Sequence, residues 1–550
     1  MRINRGTWAR LVTVSLLGAA DLACSVHLSK ESQALLDQSM SILDDIYDVD
    51  AGYVNWFYYP LAAGAHETRS SVWYAVGLLQ RNQDDDRDEA IRILTNVIGG
   101  QERNTSVLWY GDYTVYPEQP TVGSPAYAPD IYNTYDPNWR GFIGTALILI
   151  YEEFGHLLPT GVKQLVVDSL YNNTVGDSYR VGGVDNDNLY PAYSNAWLMR
   201  TITTAWTGHQ VQDANMTAAA NDDAQSFLDL FDGNHTLSEF NGPTYAGVSL
   251  YALTIAAKYL PSNSSLIGHH AARLVQDIWE TESQLWNPNM RNLAGPWDRS
   301  YGYDMNRYVA IMSLWVWSLV GKEHAWRSKT PIWTMAHADD FEISPLVAIL
   351  SGFQRTLLPE TVLKRLTAFT GERTYTGHAF APPADYEPRN ISTWISANLT
   401  IGTASFNQSV LGGYSKDSSS FSPSVVQWTR PAGSIGYFNL YPTETALRAE
   451  VSPYALNLTY PNGNDTSRFT FALAVNPLGG KRDVSGLEDV DGLKIDVVGG
   501  SVNPVPEISF CGLVGGTCNV IHNFEFWNVT FSMDKGSSAM PSILFKFSLP

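Results

Sequence analysis

The chain has 550 residues, 44% of them hydrophobic and 16% charged, with a formal net charge of -20. At about 100 to 200 residues per domain this length predicts two to four domains, and the composition is that of a globular protein. No basic stripe is present to neutralise phosphates, which excludes a nucleic-acid partner, and a polyanionic substrate could be held only where local arginines outweigh the acidic surface.

The chain opens with a basic stretch, an apolar run over residues 11–20 and small residues at Ala23 and Ser25. That order predicts a signal peptide over residues 1–25 and hence a secreted protein. The apolar run falls short of the about 20 residues that cross a membrane, so no membrane partner is expected. Eleven Asn-X-Ser/Thr sequons, from Asn104 to Asn528, agree with passage through a secretory lumen and predict N-linked glycans. Beyond the signal two cysteines remain, Cys511 and Cys518, and the glycine-rich loop between them suits a disulfide in an oxidising compartment. Two cysteines are too few for a metal. With no phosphate-cradling loop, nucleophile elbow or zinc-ligand spacing, neither metal nor cofactor is expected.

Apolar periodicity predicts helices over residues 32–47, 68–80, 88–98, 138–157, 160–171, 194–207, 218–231, 244–259, 265–286, 304–320, 345–353 and 359–369. The stretches 141–150 and 308–317 are apolar on nearly every face and must be enclosed by other helices, whereas 88–98 and 265–286 carry one polar face. Enclosed helices alternating with half-exposed ones predict an (α/α)6-type toroid over residues 26–380. After the proline-rich passage 380–388 the pattern becomes one of β-branched and aromatic clusters at 391–403, 424–430, 433–441, 469–475, 493–498, 524–533 and 543–547. Those clusters predict an antiparallel β-sandwich over residues 381–550, and an α+β chain overall.

Polar and aromatic groups gather where helices begin. The string from Asp232 to Tyr245 holds His235 and Tyr245, and the string from Trp297 to Asp304 holds Arg299, Tyr301 and Tyr303. Asn195 can donate through its amide to a developing negative charge, or cap its own helix. Tyr245, with an ordinary pKa of about 10, acts as a base only if a cation such as Arg299 or His235 lowers that value. Tyr301 and Tyr303 suit the acid role or a sugar-stacking platform. His66, in the same string as Arg69, and His337 are further general-base candidates, each with a purely structural alternative. Asp136-Pro-Asn-Trp-Arg140 opens an apolar helix and would bring Asn138, Trp139 and Arg140 to a cleft, or serve as a helix cap. Tyr193 belongs to an aromatic set whose faces suit the apolar sides of pyranose rings.

The strings Asn241-Gly-Pro-Thr-Tyr-Ala-Gly-Val and Trp394-Ile-Ser-Ala-Asn-Leu-Thr-Ile-Gly-Thr, with the order of domains, resemble segments of the (α/α)-toroid polysaccharide lyases, the group of chondroitin, hyaluronan, alginate and heparinase II/III-type enzymes. The resemblance implies an enzyme in which an amide or arginine neutralises a uronate carboxylate, a histidine or tyrosine removes the C5 proton, and a tyrosine protonates the leaving oxygen. The order Asn, His, Tyr, Arg of one branch falls on Asn195, His235, Tyr245 and Arg299. The expected function is thus β-elimination in a uronate-containing polysaccharide. Two alternatives stand beside it. One is an inverting glycoside hydrolase using two of Asp136, Glu239, Asp298 and Asp304. The other is a dehydratase, isomerase or cyclase acting on a small secondary metabolite.

Overall fold

The computed structural model describes residues 26–56, 65–327, 331–413, 421–430, 433–474, 484–511 and 526–550. The signal-peptide expectation at residues 1–25 and the expected disulfide partner Cys518 lie outside these residues.

The N-terminal region is helical: α1 (Lys30–Ile46), α2 (Thr68–Arg81), α3 (Asp86–Gly99), α4 (Trp139–Phe154), α5 (Thr160–Asp177), α6 (Ser194–Gln210), α7 (Ala214–Asn234), α8 (Tyr245–Tyr259), α9 (Leu266–Leu285), α10 (Ile311–Val320), α11 (Lys322–Ala325), α12 (Ser344–Leu357) and α13 (Glu360–Thr367). Helices α4, α8 and α10 are buried along almost their whole length, as their all-round apolar sequences require. They pack in succession: α2 on α4, α4 on α6, α6 on α8, α8 on α10 and α12, and α12 back on α2. Helices α3, α5, α7 and α9 each lie against the helix that precedes them in sequence, α2, α4, α6 and α8. Three of the outer helices start with a side-chain cap: Ser29 on α1, Asp213 on α7 and Ser265 on α9.

One expected helix is shorter than its pattern. Residues 304–310 do not continue α10, because Asp304 turns back to accept from Asn306 N at 2.9 Å and Val309 N donates to Ala336 O at 2.9 Å. Tertiary partners outbid local propensity in that segment.

Three short strands, β1 (Tyr47–Asp48), β2 (Tyr53–Asn55) and β3 (His66–Glu67), form a small sheet beside α2, and β4 (Trp286–Asn287) pairs with β5 (Asn292–Leu293). The C-terminal region is a twelve-stranded antiparallel sheet. Its strands are β6 (Arg373–Ala379), β7 (Arg389–Ile395), β8 (Leu399–Asn407), β9 (Ser424–Thr429), β10 (Ile435–Tyr441), β11 (Ala446–Ser452), β12 (Ala455–Thr459), β13 (Arg468–Ala474), β14 (Lys494–Gly500), β15 (Glu507–Cys511), β16 (Phe526–Ser532) and β17 (Ser542–Ser548). Strand β8 is the branch point, pairing with β7 along one edge and with β9 and then β11 along the other. The sheet curls so that its arms face each other. Phe545 of β17 meets Phe438, Phe471 and Phe531 of β10, β13 and β16 edge-on, with ring centroids 5.3 to 5.5 Å apart. The first strand, β6, pairs with β7 and starts at residue 373, ahead of the boundary read near residue 380. Strands β6, β11, β12 and β15 carry too few β-branched residues in alternation to stand out in the sequence.

The helical region and the sheet meet closely at residues 294–297. Gly295 O accepts from Thr393 Oγ1 at 2.8 Å, and Trp297 exchanges backbone hydrogen bonds with Ser422. A Cβ on Gly402 of β8 would come 1.7 Å from Gly295 O. Gly402→Ala must therefore push the two regions apart, and a loss of about 1 to 3 kcal/mol is expected from overpacking. Urea unfolding should register it. In Gly499→Ala the added methyl meets only Leu544 at ordinary contact distance, and that control should stay within about 0.5 kcal/mol.

Candidate active site

The beginnings of α2, α4, α6, α8 and α12 come together, linked by direct contacts. Trp139 Nε1 at the start of α4 donates to Thr68 Oγ1 at the start of α2, 3.1 Å away. Ser70 donates to Glu342, just ahead of α12. Thr244, preceding α8, donates to Asp340 Oδ2 at 3.0 Å, and Arg299 Nη1 donates to the Tyr193 hydroxyl, preceding α6, at 2.7 Å. In none of these five helices does the N-cap residue's own side chain cap the first turn, but on α6 Glu239 supplies an acceptor from outside, for Asn195 N. The partial positive charge of each of these helix beginnings lies at the junction.

At its centre lies Arg299. Its guanidinium carbon is 4.2 Å from the Tyr245 ring centroid, 5.4 Å from Tyr301 and 5.8 Å from Tyr193. The nearby arginines each hold a carboxylate: Arg69 that of Glu67, Arg180 that of Asp187, and Arg389 that of Asp298. Among the described residues Arg299 forms no such ion pair, and its buried Nε has no hydrogen-bond partner. Tyr245 and Tyr301 share a hydrogen bond between their hydroxyls. Tyr301 stacks on His337, with centroids 4.2 Å apart and planes at 19°. Tyr308 meets His337 edge-on at 5.8 Å and closes the group by its hydrogen bond with Thr244. Arg299, Tyr245, Tyr301 and His337 are half-buried, so this group is a floor open on one side and not sealed core.

Asn195 lies beside it. Its backbone N and its Nδ2 both donate to Glu239 Oε2, at 3.0 and 2.7 Å. The amide therefore does not cap α6; the Glu239 carboxyl satisfies the helix start instead. Burial pushes Glu239 up to about 7, against the opposing pull of Arg299 and the Asn195 hydrogen bonds. Burial likewise raises Tyr245 well above its ordinary value and Tyr301 to about 12, although Arg299 works against both shifts. The two phenols are proton donors at neutral pH, and the cation does not turn Tyr245 into a base. Burial lowers the pKa of His337, leaving a neutral imidazole able to accept a proton.

The expected residues separate into those that converge and those that do not. Asn195, Tyr245, Arg299, Tyr193, Tyr301 and His337 converge. Arg69 and Trp139 lie at the border, with the Arg69 guanidinium 4.6 Å from the Trp139 ring centroid. His235 does not join them. It ends α7 in the left-handed region, φ 54°, exposed to solvent, because the helix stops where its last turn leaves the core. Arg140 is fully buried against Asp177 and the carbonyls of Leu108 and Tyr110, so its role is structural. Asn138 is buried and accepts from Arg180. Tyr303 points into the seam between helices and sheet, stacked on Trp297 at 5.6 Å and packed on Tyr437. His66 is enclosed between Glu118 and Asp48. Asp340, Glu342, Thr244 and Tyr308 are members that sequence reading missed; only the paired acids of Asp339-Asp340 ahead of a helix gave any signal.

Glu239 makes stability depend on pH. The unfolded carboxyl ionises near 4.5 and the folded one near 7, so its stabilisation is complete below pH 4.5 and disappears as pH rises through 7. Glu239→Gln keeps an acceptor for Asn195 and cannot ionise. The wild-type protein should lose up to roughly 3 kcal/mol relative to this variant between pH 4.5 and 7.5, read from urea midpoints. Parallel curves for the two proteins would contradict a buried, neutral Glu239.

Among curated proteins no sequence matches this chain. Among solved structures it aligns with "Heparinase III-BT4657 gene product" at 9% identity over 95% of this chain and 84% of that one, with a TM-score of 0.32. The methylated-lysine form of that protein aligns over the same shares at a TM-score of 0.29. Similarity of that size carries no inference about activity. Residues 371–548 match the family described as "Domain of unknown function (DUF8770)". Residues 33–352, more than half of the chain, match "Domain of unknown function (DUF8769)", and the chain belongs to that family.

Proposed function

We propose that the protein is a carbon–oxygen lyase that removes the proton next to a carboxylate in a uronate-containing glycan and eliminates the neighbouring glycosidic oxygen. The observation that carries this reading is Arg299, a cation without a carboxylate of its own among the described residues, held between three phenols where helix beginnings meet. A substrate carboxylate supplies the missing partner, and it gains from the helix ends as well. As charge builds on that carboxylate in the transition state, Arg299 and the amide of Asn195 stabilise it. His337, neutral, takes the proton. Tyr245 or Tyr301, both protonated, donates to the leaving oxygen. The helical hairpins in this reading form the (α/α) toroid, the curled sheet its sandwich companion, and residues 1–25 direct secretion.

The charge balance narrows the substrate. Among the described residues of the junction Arg299 alone of the arginines lacks a carboxylate, in a chain of net charge -20, which suits an isolated uronate flanked by neutral sugars and not a densely sulfated chain. The hydrolase alternative fits less well. Asp298 is engaged by Arg389 and Asp304 by Asn306, while Asp136 accepts from Asn138 N and Glu239 from Asn195, so each of the four carboxyls already has a partner in the chain.

Incubation with sparsely charged uronate glycans should produce the absorbance of an unsaturated uronate. Arg299→Met should lower kcat/KM by about 100- to 1000-fold, and Tyr245→Phe/Tyr301→Phe should lower kcat by a similar factor. An unchanged rate in Arg299→Met, or reducing sugar without the new double bond, would rule the mechanism out. Secretion predicts that glycosidase treatment of protein from a eukaryotic host shifts its mass, since Asn104, Asn215, Asn263 and Asn464 are exposed.

A further inference from the structure

The two loops that carry Glu239 and Arg299 are held by one side chain from the sheet. Arg389, the first residue of β7, is almost wholly buried. Its Nη2 donates to Ser238 O at 2.6 Å and its Nη1 to the Asp298 carboxylate, while Nε lies 2.9 Å from Asp385 Oδ2. Ser238 directly precedes Glu239, and Asp298 directly precedes Arg299. Asp385 is itself anchored, accepting from Ala381 N at 2.9 Å and from Gln408 Nε2 at 2.8 Å. The loops are tied to each other by Asp298 N donating to Phe240 O at 3.0 Å.

We propose that Arg389 is a positioning residue for the active site: a fork from the sheet that fixes the spacing of the Glu239 and Arg299 loops, so that the C-terminal region is part of the catalytic apparatus and not an appended module. A planar guanidinium reaches three partners on three segments at once. A lysine ammonium offers one point charge and would hold only part of the arrangement. The catalytic consequence rests on the lyase reading; the mechanical one does not.

The test compares the full-length wild type with Arg389→Met and Arg389→Lys by hydrogen–deuterium exchange and by kinetics. In Arg389→Met, peptides covering residues 236–245 and 297–304 should lose protection together, while α4, α8 and the β10–β13–β16 part of the sheet keep theirs. In Arg389→Lys the same two peptides should lose protection to a smaller extent. On an active substrate, Arg389→Met should lower kcat/KM by about 100-fold. Combined with Arg299→Met it should add almost nothing, because it acts through that residue. Wild-type exchange in either peptide, or losses that multiply in the double variant, would overturn the proposal. If Arg389→Met does not fold, Arg389→Lys decides alone, and wild-type protection of both loops in that variant overturns it. If the wild type turns over no uronate, the lyase reading falls and exchange still decides the clamp.

Discussion

A buried or half-buried cation must find compensating negative charge, or be surrounded by groups that tolerate it, and this protein resolves the requirement differently at different arginines. Arg69, Arg180 and Arg389 each take a carboxylate from the chain. Among the described residues Arg299 takes only phenols, whose ring faces and hydroxyl oxygens offset part of its charge without neutralising it. The arrangement around it follows from that. Nearby acids are either engaged elsewhere, as Asp298 is, or driven toward the neutral form by burial, as Glu239 is. An arginine free of acid partners remains available to an anion from outside.

The helix packing makes this arrangement possible. Successive contacts from α2 through α12 bring five helix beginnings to one place, where polar groups meet. Backbone amides at helix starts need acceptors, as Glu239 provides on α6. The sheet contributes less area to the site but fixes the loops. The contact of Gly295 against β8 and the Arg389 fork both act on segments adjacent to residues that line the floor.

Much of the candidate site was legible along the chain. Tyr193, Asn195 and Tyr245 sit where a polar, aromatic string meets an apolar helix, and Arg299 and Tyr301 lie in a similar string whose helix, α10, begins only at Ile311. The choice of histidine was not legible. His235 and His337 both adjoin helices in similar surroundings of sequence, and both adopt a left-handed backbone. One turn ends a helix at the surface and the other faces the junction, a distinction made by packing partners far away in sequence. Arg140 and Tyr303 misled for a related reason: buried arginines and tyrosines need partners whether or not a ligand is involved, and Asp177 and Trp297 supply them.

Composition and periodicity by themselves determined the division into a helical N-terminal region and a β-rich C-terminal region, the enclosed nature of α4 and α10, and the set of helix starts where chemistry could reside. These properties depend on local spacing of apolar residues, which the chain carries in short windows. The single curled sheet branching at β8, the pairing of Glu239 with Asn195, the neutrality of His337 and the reach of Arg389 into the helical region were decided only by the tertiary structure. Each depends on burial and on contacts between segments tens to hundreds of residues apart, and no local pattern encodes which buried charge receives a partner and which is left open.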